Sequence, residues 1–282
     1  RSLECYALGD AIGKAQDLGM VKVLLEAGAD PNGVETMHFD NGRISKKPML
    51  TRAIIYAKNA EMVKLLLKHG ANPDSISVVQ RKNGTDEYSA LSEAIWSVKD
   101  LGIVKVLLEA GADPNRVETI HPDNGSIERK SMLTYAIVDA KNAEMVRLLI
   151  KHGTNPDSIR TYQSKNVPND YSALSDAIWY AKDLGIVKIL LEAGADPDRV
   201  ETTHFDDGSI GRKSMLTYAI VDAKNAEMVR LLIKYGATWE NKIAYSGITK
   251  IERRFPYATI NGVNQQMIDV LKACGWKGPL FG

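Results

Sequence analysis

One phrase recurs along this chain at a nearly fixed interval, and that interval limits the folds open to it. "LLEAGADPN" ends at Asn32 and Asn115, and "LLEAGADPD" at Asp198. Between them stand "LLKHGANPD" at 66–74 and "LLIKHGTNPD" at 148–157, with "LLIKYGATWE" at 231–240. The glycines of these phrases, Gly28, Gly70, Gly111, Gly153, Gly194 and Gly236, are spaced by 42, 41, 42, 41 and 42 residues. A weaker copy, "YATINGVNQQMIDVLKACGW", places Gly275 a further 39 along. The units alternate in two flavours with a super-period of 83, and residues 90–153 and 173–236 agree at 54 of 64 positions. That agreement marks a duplicated two-unit block. A unit this short cannot bury a core alone, so the units must stack.

Each unit reads as two helices. In "MLTYAIVDAKNAEMVRLLIKHG" (132–153), Leu133, Ala136 and Ile137 share a helical face. Asn142 interrupts the pattern, and Met145, Val146, Leu148 and Leu149 then form the face of a second helix. Gly153 follows where a left-handed residue ends a helix at little cost, and Pro156 prevents continuation. The connectors differ by flavour. In "RVETIHPDNGSIERKS" (116–131), Val117, Thr119 and His121 alternate toward an Asp-Asn-Gly turn and Ile127 lies on the return, which predicts a β-hairpin. Its sisters are 33–48 and 199–214, whereas the even connectors, with Gly84 or Pro168, read as less regular loops.

"LLEAGADPN" resembles the closing phrase of the ankyrin repeat, and "SMLTYAI" and "SALSDAI" stand where that family carries its T-P-L-H-x-A opening. The resemblance implies an all-α, ankyrin-type helical solenoid with extended β-hairpin fingers between repeats, continuous over 1–282. The repeats fall at 5–32, 49–74, 90–115, 132–157, 173–198 and 215–240, with a C-terminal cap at 256–278. There are two departures. Thr134 or Ser175 stands where the family has His, and each unit exceeds the usual 33 residues by about eight. One extra residue is assigned to the turn between the helices and the rest to the connector. Asn261, Asn264, Gln265 and Gln266 give the terminal unit a wetter face, as a cap requires. "ECYALGDAI" aligns with "EYSALSEAI" (87–95), so the chain starts partway through a connector and a larger natural polypeptide is expected.

Composition removes several function classes. A formal charge of +1 offers no bulk attraction to nucleic acid or an anionic membrane. No apolar run reaches the ~18 residues that span a bilayer. Phosphate-loop, dinucleotide, metalloprotease, thiol-redox and nucleophile-elbow signatures are missing, so neither catalysis nor a cofactor is expected. Cys5 and Cys274 lie at opposite ends of a long array, too far apart to pair, and so few cysteines fit a reducing, cytoplasmic setting. His38, His121 and His204 each sit near a finger turn, but fingers two units apart stand roughly 20 Å from one another. They read as solvated turn residues, with no metal site.

By resemblance, the first helices line a concave partner-binding face. Two columns on them supply the candidates: Tyr135, Asp176 and Tyr218 in one, and Tyr56, Trp96, Asp139, Trp179, Tyr180 and Asp222 in the other. Tyrosine and tryptophan mixed with charge is a hot-spot composition for protein contacts. The fingers add His121, Arg129, Lys130, His204, Arg212 and Lys213. The expected function is therefore that of a monomeric scaffold binding a protein partner. The duplicated array resembles those of intracellular bacteria and their effectors, which implies a host protein as target and the host cell as location. Two alternatives stay open at this point: a targeting or substrate-presenting arm of a larger enzyme, and a spacer without a specific partner.

Overall fold

The computed structural model describes residues 7–82, 84–163, 168–204, 210–238 and 265–274. The closing phrase of each unit organises the body. Outer helices Leu18–Glu26, Ala60–Lys68, Leu101–Glu109, Ala143–Lys151, Leu184–Glu192 and Ala226–Lys234 each run into its first residues. Each starts at a capping side chain, alternately Asp and Asn; Asp100 accepts from Ile103 N–H, and Asn142 from the N–H groups of Glu144 and Met145. Each ends at a left-handed glycine such as Gly111, at φ +90°. The outer helices pack side by side in one row and the inner helices in a second. Val104, Leu107, Val146, Leu149, Val187 and Leu190 are fully buried between the rows. Each such side chain contributes roughly 1.5–3 kcal/mol through burial.

The inner helices absorb the extra residue of each unit. They begin as α-turns, for example Ala90–Ser92 and Met132–Thr134, and widen over Glu93–Val98 and Tyr135–Ala140. There the backbone bonds reach five residues back, as in Lys58 N–H to Ala53 O at 3.0 Å. The wide turn ends on a left-handed lysine: Lys58, Lys99, Lys141 and Lys182 have φ between 49° and 58°. The sequence expectation placed this residue in the loop between the helices. It belongs instead to the last helical turn, and it rotates the side chains of that turn about the helix axis.

The fingers form more sheet than the sequence suggests. Odd hairpins pair β1 (Val34–His38) with β2 (Ile44–Pro48), β5 (Val117–Ile120) with β6 (Ile127–Ser131), and β9 (Val200–His204) with β10 (Ile210–Ser214). The even connectors are hairpins too, not irregular loops: β3 (Ile76–Arg81) with β4 (Gly84–Ser89), and β7 (Ile159–Gln163) with β8 (Pro168–Ser172). They are ordered from the side, because β3 pairs along β2 and β7 along β6. Among the described residues the result is two four-stranded antiparallel sheets and a two-stranded one, flanking a helical solenoid. Helix Gln265–Ala273 packs on the last outer helix, with Met267 and Val270 buried. Cys5, the tip of the third hairpin, and Asn261 and Asn264 of the cap lie outside the described residues.

The last residue of each closing phrase bridges to the next. Asn115 Nδ2 donates to Gly153 O at 3.2 Å and its Oδ1 accepts from Asn155 N–H at 3.3 Å; Asp74 accepts from Asp113 N–H at 2.8 Å. Replacing Asn115 by Ala should cost about 1–2 kcal/mol in urea unfolding, since both backbone groups lose their cross-repeat partner. Lys141→Gly should instead raise stability by about 0.5–1 kcal/mol, because glycine removes the strain of a left-handed lysine.

Candidate functional site

Side-chain parity along the finger strands decides what meets the inner helices. Alternate residues of a strand face opposite sides, so Glu118, Lys130, Arg160 and Tyr171 point one way and Arg129, Thr161 and Asp170 the other. The first set turns to the inner helices. Glu118 is buried; its Oε1 accepts from Ser89 N–H at 2.7 Å and its Oε2 from Tyr135 Oη–H at 3.0 Å. Glu201 repeats this with Ser172 N–H at 2.7 Å and Tyr218 Oη–H at 3.1 Å. In the first finger Glu35 holds Arg52 in an ion pair. In the second sheet Arg160 grips Asp176, Nε to Oδ2 at 2.9 Å and Nη2 to Oδ1 at 2.8 Å, and reaches Glu128 at 3.3 Å.

These contacts correct one of the two columns. Tyr135 and Tyr218 are each 2% exposed and Asp176 is fully buried, so none of the three can touch a partner. They are the sockets into which the fingers plug. Burial, then the charge of the neighbouring glutamate, holds both phenols well above the ordinary tyrosine range, so they stay hydrogen-bond donors. Burial works against the Arg160 charge too, but the hydrogen bonds and charge of Asp176 overcome it and raise its pKa.

The other column stays at the surface. Tyr56 is 38% and Tyr180 40% exposed, while Trp96, Trp179, Asp139 and Asp222 are half-buried. Trp96 stacks against Tyr88 at 5.8 Å, and Trp179 contacts Tyr171 at 6.1 Å and Tyr180 at 4.6 Å. Lys130 Nζ lies 3.3 Å from Asp139 and Lys213 Nζ 3.0 Å from Asp222, tying the fingers to this face. Burial first, opposed by Lys130, raises the Asp139 carboxyl above the usual range. The finger basic pairs are therefore split. Lys130 and Lys213 turn inward, whereas Arg129 and Arg212 are exposed on the far side.

Of the three finger histidines, His38 is exposed as expected, but His121 and His204 are not solvated turn residues. His121 N–H donates to Asp86 Oδ1 at 2.7 Å, with its Nδ1 3.1 Å from the same oxygen, and Arg81 Nε stands 3.5 Å from Oδ2. His204 N–H donates to Asn169 Oδ1 at 2.7 Å, and Asn169 Nδ2 returns a bond to His204 O at 3.2 Å. Both histidines are half-buried and join consecutive sheets by side chains where no backbone ladder runs. Among the described residues no three His, Cys, Asp or Glu side chains gather as metal ligands would, and no helix is long and apolar enough to cross a membrane.

A family model described as ankyrin repeats (3 copies) matches residues 8–118. No curated protein matches the sequence. Among solved structures, the human ASB11 ankyrin repeat domain has a TM-score of 0.54 at 20% identity, covering 99% of this chain and 99% of that one. The ankyrin repeat domain of Bcl-3, described as a unique member of the IkappaB protein family, scores 0.59 at 20% identity, covering 94% and 97%. An ankyrin repeat domain from Acinetobacter baumannii AYE scores 0.55 at 22% identity, covering 83% of this chain and 99% of that one. At these identities the likeness concerns the fold.

Burial first, against several hydrogen bonds, holds the Glu118 carboxyl above the ordinary glutamate range. Its folded value exceeds its unfolded value of about 4.3, so its contribution to stability is full below that pH and is lost as pH rises through the folded value. Glu118→Gln keeps an acceptor for Ser89. Urea midpoints measured from pH 4 to 7 should fall less steeply with pH in this variant than in the parent.

Proposed function

The chain is an ankyrin-repeat protein, and from that premise we propose that it binds a partner protein along its inner face, between the inner helices and the finger roots. Ankyrin-repeat domains generally mediate protein–protein interaction and are typically non-catalytic. The observation that supports the reading here is the residue column that reaches the surface on that face. It runs through Tyr56, Ser97 and Tyr180, which are exposed, and Asp139 and Asp222, which are half-buried, at spacings of 41 or 42 residues. Rigid aromatic groups set among hydrogen-bonding ones are the residues on which protein interfaces concentrate their energy. Their mounting is firm. Trp179 backs Tyr180, Lys213 of the Lys213–Asp222 pair lies over the Trp179 ring, and the finger roots are locked by Glu118 and Glu201. A surface already ordered loses little entropy when it is covered.

The inner-facing half of each basic pair joins this surface as Lys130 and Lys213, and Trp96 and Trp179 form its floor. His121 and His204 contribute by stitching the sheets, and Arg129 and Arg212 belong to a different side of the fingers.

A pull-down with the intact chain and a Tyr56→Ala/Tyr180→Ala variant, both checked for cooperative unfolding, tests the reading. The variant should lose the partner by at least about tenfold in affinity, since each anchor is worth roughly 1–2 kcal/mol. A photo-crosslinker at position 180 should label the partner, and one at Lys188 on the outer helix should not. Labelling from position 188 with none from position 180 would overturn the assignment.

A further inference from the structure

The duplicated halves differ at one coordinated place, and the second half shows what belongs there. Arg160 projects from β7 onto the inner helix, where Asp176 receives it through two bonds of 2.8 and 2.9 Å. Its guanidinium is held between two rings, 4.7 Å from the centroid of Tyr171 and 4.9 Å from that of Tyr180. The positions 83 residues earlier hold Ser77, Glu93, Tyr88 and Ser97. The acid and one ring are kept; the arginine and the ring above it are replaced by serines.

This exchange leaves an incomplete site. Glu93 is 5% exposed, and among the described residues it has no arginine. Burial first holds its carboxyl above the ordinary glutamate range, with the charge of Lys47 opposing and that of Glu118 adding to the rise. Ser77 is fully buried, and among the described residues neither its Oγ nor the buried Nε1 of Trp96 has a hydrogen-bond partner. Lys47 is drawn over the Tyr56 ring at 5.8 Å, because Tyr56 stands where its sister Lys130 finds Asp139. A buried carboxylate without a forked partner is costly, and a guanidinium is the group whose planar fork fits it. Ser97 is exposed where Tyr180 closes the second site, so the approach lies on the inner face.

We propose that Glu93, between Tyr88, Trp96 and Ser97, is a socket for an arginine side chain of the bound protein, which takes the place Arg160 fills internally in the other half. The socket rests on the inner-face reading and gives the partner a chemistry: a protein that presents an exposed arginine. Lysine is a poorer occupant, since it cannot bridge both carboxylate oxygens or stack flat on Tyr88.

The test is a titration of the intact, ¹⁵N-labelled chain with capped Gly-Arg-Gly and with its citrulline counterpart, which has nearly the same shape without the charge. Saturable shifts of the Trp96 indole N–H and Ser97 amide are expected with arginine, and binding about tenfold weaker with citrulline. Glu93→Gln should abolish the shifts. Ser77→Arg should abolish them as well, by supplying the guanidinium from within, and should raise Tm by roughly 2–4 °C. That gain should vanish in Ser77→Arg/Glu93→Gln. Equal binding of citrulline, no saturable shift at Trp96, or an unchanged titration in Glu93→Gln would each overturn the socket. The tripeptide needs no protein partner, so failure here leaves the inner-face reading standing. Loss of that reading in the Tyr56 and Tyr180 variant would leave the titration intact.

Discussion

The solenoid depends on one recurring bond, made by the residue that closes each repeat. Asn32, Asp74, Asn115, Asp157 and Asp198 each extend a side-chain oxygen to a backbone N–H about 40 residues further on, in the matching phrase of the next unit. Apolar packing between helix rows supplies most of the energy but little direction, since it varies smoothly as one layer slides on another. The Asn or Asp bond does not vary smoothly. It fixes the rise and rotation of each layer on the last, and so determines whether finger and inner helix meet in register. The finger sockets at Tyr135 and Tyr218, which need contacts near 3 Å, are only possible once that register is set.

How much of this was legible in the sequence depends on which signals are local. Gly28 to Gly236 carry the period because a left-handed turn ending a helix is a property of one residue. The odd hairpins are legible because Asn-Gly and Asp-Gly demand a tight turn. The even hairpins are not, because their turns carry no such signal and β3 and β7 also pair with β2 and β6, strands contributed by the preceding connector. The division of the inner-helix columns was hidden for a related reason. A face drawn with 3.6 residues per turn assumes a regular helix, but from Ala53, Glu93 and Tyr135 onward the helix widens. Position 135 then lies toward the finger and position 139 toward solvent. The glutamates of the "VET" strands were present as a signal: an acid of inward parity in each odd finger, opposite Arg52 in the first and a tyrosine in the second and third.

Duplication makes the chain its own control. Two positions 83 residues apart share nearly the same surroundings, so a difference between them isolates the role of a single side chain. Asp86 and Asn169 both cap the backbone of the following histidine, so that role needs an acceptor but no charge. Arg160 and Ser77 separate a finger closed by its own cation from one left without it.

The two kinds of junction between hairpins also set the grain of the array. Within a pair, β2 and β3 or β6 and β7 share a backbone ladder. Between pairs no backbone ladder runs among the described residues, and side chains cross the seam instead: Asp86 with His121 and Glu118 with Ser89, or Asn169 with His204 and Glu201 with Ser172. Cutting the array after one repeat would sever a ladder and bare a strand edge, whereas cutting it after two breaks only side-chain bonds. The two-repeat block is thus the smallest piece that can be added or removed with its sheet whole, and growth in steps of 83 residues is growth along that grain.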